Sequence, residues 1–395
     1  MKKTFFYFLL TSIFIMVISC DDPIFYTVSI QNPPLDPLIK GSPTKFVMFG
    51  DNMYVASGYN IWYFNGTIWD SISFSSRVLD IAATGSYLYA AFADSENNKL
   101  WISSDGINGT EKPVDINIQA IFAAGNYLYI SARSTDSSTY SHSYSVHYLQ
   151  GENDPVSISV IDADDAQRVT INNLAVSGTT VYFCSHGSGS SSTDMKGKGI
   201  FSSAAGSSTA TLITGSSSIS FTGIITLNSG EVVAIARDDG QLYRVTATEV
   251  TILDNVKLGR PSNNMGTLAL WTDENNAGNN LLLAGTQDIT NTTSTSHTHG
   301  YMELILGSAG EIAAAGEFDW PGIRNNSTME NRESFITSLG KHGVNHLFQY
   351  VYPASSSNSG MKVLFASTQQ NGVWSYRDRG SNNENNWQWN AEQQP

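Results

Sequence analysis

An all-β ring of repeated antiparallel sheets is the fold class this sequence predicts, and three observations predict it. Only 14% of the 395 residues are charged while 41% are apolar, and the deficit is filled by Ser, Thr, Asn and Gly, residues of strands and turns rather than of long helices. A turn bearing Gly or Asn, followed by a short apolar strand ending in small residues, recurs along most of the chain. Behind each of these strands comes a second pattern, an apolar residue beside a large one, and then another short β-rich run. The repeat averages about 52 residues, which suits one four-stranded sheet per repeat, the blade of a β-propeller.

Taken in order, the turn-and-strand segment appears as Gly50-Asp-Asn-Met-Tyr54, Gly85-Ser-Tyr-Leu-Tyr89, Gly125-Asn-Tyr-Leu-Tyr129 and Gly178-Thr-Thr-Val-Tyr182, with weaker copies at Gly230-Glu-Val-Val233, Gly278-Asn-Asn-Leu-Leu282 and Gly360-Met-Lys-Val-Leu364. The second pattern follows each as Ile61-Trp62, Leu100-Trp101, Tyr148-Leu149, Ile200-Phe201, Leu242-Tyr243, Tyr301-Met302 and Val373-Trp374. Each unit therefore reads as strand A, a Gly-centred hairpin, strand B, strand C and strand D. Strand B is apolar on both faces because neighbouring blades cover it on both sides. The prediction is a single seven-bladed β-propeller of four-stranded antiparallel blades over residues 44–395, with few free sheet edges. A pair of sandwiches would not need similar units, and a β-helix would show shorter, more uniform coils. Neither the Trp-Asp nor the double-Gly signature recurs from unit to unit. The lone interior thiol, Cys184, sits in an apolar strand pattern and reads as a small buried filler.

The N-terminus predicts an address. Met1-Lys2-Lys3 precedes an apolar run from Phe5 to Ile18, the length of an export segment and too short to span a bilayer as a helix. The run ends at Val17-Ile18-Ser19-Cys20, which resembles the lipobox of bacterial lipoproteins, with Val17 where Leu is usual. The resemblance implies a signal peptide over 1–19 and a diacylated Cys20. A plain signal peptide followed by an incidental Cys is the competing reading. Residues 20–43 carry Pro23, Pro33, Pro34, Pro37 and Pro43 and read as a lipidated, extended tether. The net charge of −14, with only 21 Lys and Arg, excludes nucleic acid as a partner and basic-patch adhesion to anionic lipid, leaving acyl chains as the membrane attachment.

Antiparallel topology puts all B–C loops and all D–A connections at one end of such a ring. The spacing from strand B to the large residue of strand C is about 19 residues in the third, fourth and sixth units and about 8 to 12 in the others. These long loops define a candidate binding face: Tyr140, His142, Tyr144 and His147 from the third, His186 with Asp194, Lys196 and Lys198 from the fourth, and Asp288, His297 and His299 from the sixth. Imidazoles together with Asp288 or Asp162, Asp164 and Asp165 are metal-ligand types, but no His-Glu-x-x-His spacing occurs, and Ser/Thr/Asn-rich loops also carry scattered His and Tyr without convergence. No metal or cofactor is therefore assigned. Arg77, Arg168, Arg260, Arg324 and Arg332 fall in D–A connections, where three could clamp a carboxylate sugar or simply form surface ion pairs. Ser103-Ser-Asp105-Gly106 faintly resembles the Asp-box turn of sialidase-type propellers, although it occurs once and has Glu111 where an aromatic is expected. Phosphate-binding, dinucleotide-binding and Ser-nucleophile fingerprints are absent.

Overall the chain is similar to repeat-bearing propeller lipoproteins of spirochaetes, most characteristically in Leu364-Phe-Ala-Ser-Thr and Gly372-Val-Trp-Ser-Tyr376. The resemblance implies a cell-envelope lipoprotein, at the outer membrane or cell surface rather than the inner membrane, whose propeller binds a protein or glycan. A sialidase-like glycoside hydrolase or lyase is the alternative, and an envelope assembly scaffold a third.

Overall fold

The computed structural model describes residues 37–93, 98–135, 142–188, 195–237, 240–253, 265–273, 279–286, 300–313, 339, 342–378 and 387–393. It is all-β and built of successive antiparallel meanders. In chain order these are β1 (Phe46–Phe49), β2 (Asn52–Ser57), β3 (Asn60–Phe64) and β4 (Trp69–Ser73); β5 (Val78–Ala83), β6 (Leu88–Phe92), β7 (Lys99–Ser103) and β8 (Gly109–Pro113); β9 (Ile118–Ala124), β10 (Tyr127–Thr135), β11 (His142–Gln150) and β12 (Val156–Ile161); and β13 (Asn173–Ser177), β14 (Thr180–Ser188), β15 (Lys196–Ala204) and β16 (Thr209–Leu212). Then come β17 (Phe221–Thr226), β18 (Val232–Ala236), β19 (Leu242–Val245) and β20 (Val250–Ile252); β21 (Met265–Asp273), β22 (Asn279–Thr286) and β23 (Tyr301–Ile305); and β24 (Val344–Val351), β25 (Lys362–Thr368), β26 (Val373–Asp378) and β27 (Trp387–Ala391). Among the described residues the sixth meander has three strands, extended by an antiparallel bridge between Leu306 and Ile312.

Every turn-and-strand segment read from the sequence is a second strand, and every apolar-plus-large pair lies in a third strand. The second strands are buried on both faces, as β6 and β18 are along their whole length. The reason is visible in the core, which divides into separate apolar clusters, each between two successive sheets. One joins the first two sheets around Tyr54, Leu88 and Trp101, and the next joins the second and third around Tyr89, Ile121 and Leu128. Further clusters follow between the third and fourth, fourth and fifth, fifth and sixth, and sixth and seventh sheets. The last joins the seventh sheet back to the first, through Tyr350, Val363 and Phe365 against Phe46, Val55, Phe64 and Trp69. First strands touch in the same succession, from β1 through β5, β9, β13, β17 and β21 to β24 and back to β1, so they are innermost. The sheets thus form a closed ring.

Closure has its own polar fastening. Glu392, 2% exposed, takes the indole N–H of Trp69 on Oε2 at 2.9 Å, while Ser375 and Arg377 donate to its other oxygen. A carboxylate this deep is tolerated because each oxygen is met by a donor. Residues 37–43, expected to belong to the tether, instead lie on the ring: Leu38 N–H donates to Glu392 O at 2.8 Å, Ile39 is fully buried, and Gly41 pairs with Asn371 in a parallel bridge. The compact unit accordingly begins at Pro37.

The tyrosine of the repeat interlocks neighbouring sheets. Tyr89 Oη donates to Gly151 O at 3.0 Å in the third sheet's outer turn, and Gly206 N–H of the fourth donates to Tyr129 Oη at 3.2 Å. Tyr54 lies against Gly106 of the second sheet, where a Cβ would fall 2.2 Å from its hydroxyl. One pairing was not foreseen. The outermost strands β12 and β16 pair in parallel, Ser159 with Thr209 through Ile161 with Thr211, fusing the third and fourth sheets into one of eight strands and removing two edges. Among the described residues no helix is long and apolar enough to cross a membrane.

Candidate functional site

Two hairpins stand above the inner ring at the end where second strands leave and first strands enter. β9 ends at Ile118, opposite Ala132, yet β10 and β11 run on, pairing Arg133 with Tyr144 and Thr135 with His142. β13 ends at Asn173, opposite Cys184, and β14 continues to Ser188, paired with Lys196. What the sequence presented as long loops is therefore largely strand, including the positions of His142, Tyr144, Lys196 and Lys198.

A short 3-10 turn, Ala166–Arg168, lies against both β11 and β15. Asp165 caps it, accepting from Gln167 N–H at 3.1 Å, and reaches Arg168 at 3.8 Å. Asp164 accepts from Gly197 N–H at 2.8 Å, and Ser188 Oγ donates to Arg168 O at 3.3 Å. Gly197 is needed here twice over. Its φ is +72°, and a Cβ would sit 2.5 Å from the Arg168 carbonyl carbon. Asp162, at the start of this connection, is the one non-glycine described with positive φ. The Asp162, Asp164 and Asp165 cluster thus serves the turn.

Strand alternation sorts the candidate residues. Val146 and Tyr129 pack in the cluster between the third and fourth sheets, so Tyr144, His142 and Arg133 lie on that same face. His147 lies on the other face, opposite Ile130, which packs toward the second sheet. It bonds Ser145 at 2.9 Å through Nε2, and burial holds it below the ordinary imidazole range. His186 alternates with Cys184 and Tyr182, which face the fifth sheet. Its Nδ1 meets the Asn172 amide, its N–H donates to Asn172 Oδ1 at 3.3 Å, and its carbonyl accepts from Ser220 Oγ at 3.2 Å. The structure therefore brings His142 and Tyr144 together and sends His147 and His186 elsewhere. Tyr140, Asp288, His297, His299, Asp194 and Cys20 lie outside the described residues. Among the described residues no group of three or more His, Cys, Asp and Glu could hold a metal ion.

The two other described histidines have partners within the fold. His342 Nδ1 bonds the Asn371 amide at 2.7 Å. His346 Nδ1 accepts from Phe46 N–H at 3.2 Å, and burial, with the nearby Lys45 ammonium, lowers its pKa to about 3. Lys45 in turn pairs with Asp80 at 2.5 Å, donates to Ile121 O at 2.6 Å and lies 4.5 Å over the Phe122 ring. It thereby ties the entries of the first three sheets together. Arg77 is exposed, Arg168 is paired with Asp165, and Arg260, Arg324 and Arg332 lie outside the described residues. Asp105 organises its own turn, accepting from Ile107 N–H at 2.8 Å and Asn108 N–H at 2.7 Å. The Asn108 amide, with these bonds, holds the carboxyl well below the usual range. Cys184 is buried, and desolvation pushes its thiol up to about 12.

Arg133 is the residue that sequence reasoning missed. Its Nε is shut off from solvent and meets no acceptor. Its backbone N–H is held by Asn117 O at 2.8 Å, so the side chain is fixed at its root. A signal was available: strand B ends in small residues and then Arg at Ser131-Ala-Arg133, and again at Ile235-Ala-Arg237.

No family model and no curated sequence matches the chain. Solved structures do. YCF48 bound to D1 peptide superposes with a TM-score of 0.50 and 10% identity over 87% of this chain and 95% of that one. Virginiamycin B lyase from Staphylococcus aureus gives 0.53 and 9% over 86% and 96%. An ancestral GH74 enzyme gives 0.55 and 14% over 90% of this chain but 47% of that one. At these identities the likeness establishes the β-propeller fold and nothing finer.

Proposed function

We propose that this protein is a lipid-anchored envelope protein whose propeller recognises a partner protein on the face carrying the β10–β11 and β14–β15 hairpins. One observation carries the reading: two hairpins rise past the inner strands and are pinned by the turn at Ala166–Arg168, which lies against both of them. Rigid presentation lowers the entropy lost on binding. Two of the candidate histidines, His147 and His186, are engaged within the fold by Ser145 and Asn172. That a propeller of this fold, YCF48, has been solved with a peptide supports the reading. The anchor is the acylated Cys20, with the signal peptide ahead of it, and the outer membrane or cell surface is the expected place.

A photo-crosslinking residue at His142 tests the reading in intact cells, with one at Asn108, in the outer turn of the second sheet, as the control. A discrete adduct from 142 and none from 108 is expected; equal adducts from both, or none from 142, would contradict it. Cys20→Ala separates the anchor from the face: radiolabelled palmitate incorporation and membrane fractionation should be lost together, and persistence of either would remove the lipid assignment.

A further inference from the structure

We infer that residues 37–43 are a releasable strap: seated, the strap fastens the joint between the seventh sheet and the first, and when it lifts that joint loosens while the other sheets stay folded. The inference goes beyond the recognition reading and does not rest on it. Topology singles this joint out. Every meander is a run of consecutive strands, so the chain itself crosses from each sheet to the next, except from the seventh back to the first. Among the described residues no strand from one end of the chain completes the sheet at the other end. The joint between the third and fourth sheets has a ladder in addition, through β12 and β16. At the seventh-to-first joint, residues 37–43 stand in for the missing connection.

The segment grips both sides. On the seventh sheet, Leu38 N–H donates to Glu392 O at 2.8 Å, Gly372 N–H donates to Gly41 O at 2.9 Å, and the Asn345 amide donates to Ser42 Oγ at 3.1 Å and Pro43 O at 3.3 Å. On the first, Ser57 Oγ donates to Lys40 O, and Thr44 N–H to Ala56 O at 2.8 Å. Ile39 enters the apolar cluster that the two sheets share, with Leu38 packed against it. The seat is shaped for the segment: Gly372 has a φ of +73°, and a Cβ there would fall on the Ile39 carbonyl oxygen and 3.1 Å from Pro37 Cβ. Any side chain at 372 would therefore push the segment off. The hold is nonetheless shallow. Lys40, Gly41 and Ser42 are exposed, so two buried residues, Ile39 and Pro43, and a few hydrogen bonds keep the segment down, whereas each sheet is held by whole apolar clusters. A part with few buried contacts opens before the cooperative core does.

The test follows backbone hydrogen exchange by mass spectrometry in the full chain. Ile39→Ser removes the apolar anchor, and Gly372→Ala places a methyl group on the seat. In both, exchange should rise about 10-fold or more over residues 38–44 and over β1 and β24 at the joint, and stay within about 2-fold of the parent over β10 and β14. Ile39→Val keeps an apolar anchor and should raise exchange less than Ile39→Ser does. Gly58→Ala is the control for backbone strain: it lies in the matching turn of the first sheet, its φ is +63°, and an added Cβ meets nothing within 4 Å. It should raise exchange in its own turn alone. A rise at β1 in Gly58→Ala equal to that at β24 in Gly372→Ala would make the effect one of turn strain and overturn the strap. An unchanged joint in Ile39→Ser would mean that the segment fastens nothing, and would overturn it as well. So would protection lost evenly across β10 and β14, or a variant that does not fold, since the segment would then belong to one cooperative core and could not lift by itself.

Discussion

His346 shows how burial and one hydrogen bond fix the state of a single side chain. It stands in the innermost strand of the seventh sheet and accepts a hydrogen bond from Phe46 N–H in the first, a bond that requires a bare ring nitrogen. Burial, aided by the positive charge of Lys45, lowers its pKa from 6.5 to about 3. The unfolded chain therefore binds a proton between about pH 6.5 and 3 that the folded ring refuses, and the stability held above pH 6.5 falls as pH drops through that window. His346→Gln keeps an acceptor without a titrating group. Urea midpoints at pH 7 and 4.5 should differ less in this variant than in the parent, and an equal difference would assign the acid sensitivity to other groups. Arg133 is the converse case. Its sequence context, the polar end of an apolar strand, looked unremarkable, and only the structure shows that the fold leaves its Nε without an acceptor.

At the scale of elements, the strands were legible because each carries its own local evidence. A turn glycine, a run of apolar residues and a tyrosine mark β2, β6, β10 and β14, and burial from both sides explains why these runs do not alternate. The upper halves of β10, β11, β14 and β15 were illegible for the opposite reason. They rise beyond the core, so they are made of Ser, His, Tyr, Lys and Gly, and a strand without an apolar face reads as a loop. The parallel pairing of β12 with β16 was also hidden, since a pairing between distant outer strands leaves no mark on either one alone. The turn between the hairpins yields a sharp expectation. Gly197→Ala places a methyl group on the Arg168 carbonyl and imposes a positive φ on a residue that disfavours it. A loss of about 1–3 kcal/mol in chemical denaturation is expected, with faster hydrogen exchange over 165–170 and 196–198. Unchanged stability and exchange would mean that the turn does not pin the hairpins.

For the whole molecule, closure is what makes residues far apart in sequence into neighbours. Seven-unit repetition suggested a ring but could not by itself say that the last sheet meets the first, and residues 37–43, with Pro37 and Pro43 at their ends, resembled tether rather than ring. The seam is made by Phe365 among Phe46, Phe64 and Trp69, by Glu392 receiving Trp69, and by Asn345 donating to Ser42 at 3.1 Å. Without that seam the ring would open, and the hairpin face would lose its fixed setting. The most direct test places cysteines at Ser42 and Asn345 in a Cys184→Ser background and treats the folded protein, at low concentration, with a short bismaleimide. A closed ring predicts rapid crosslinking within one molecule, recovered by mass spectrometry as a peptide joining residues 42 and 345. Single adducts at each cysteine, or links formed only between molecules, would contradict it.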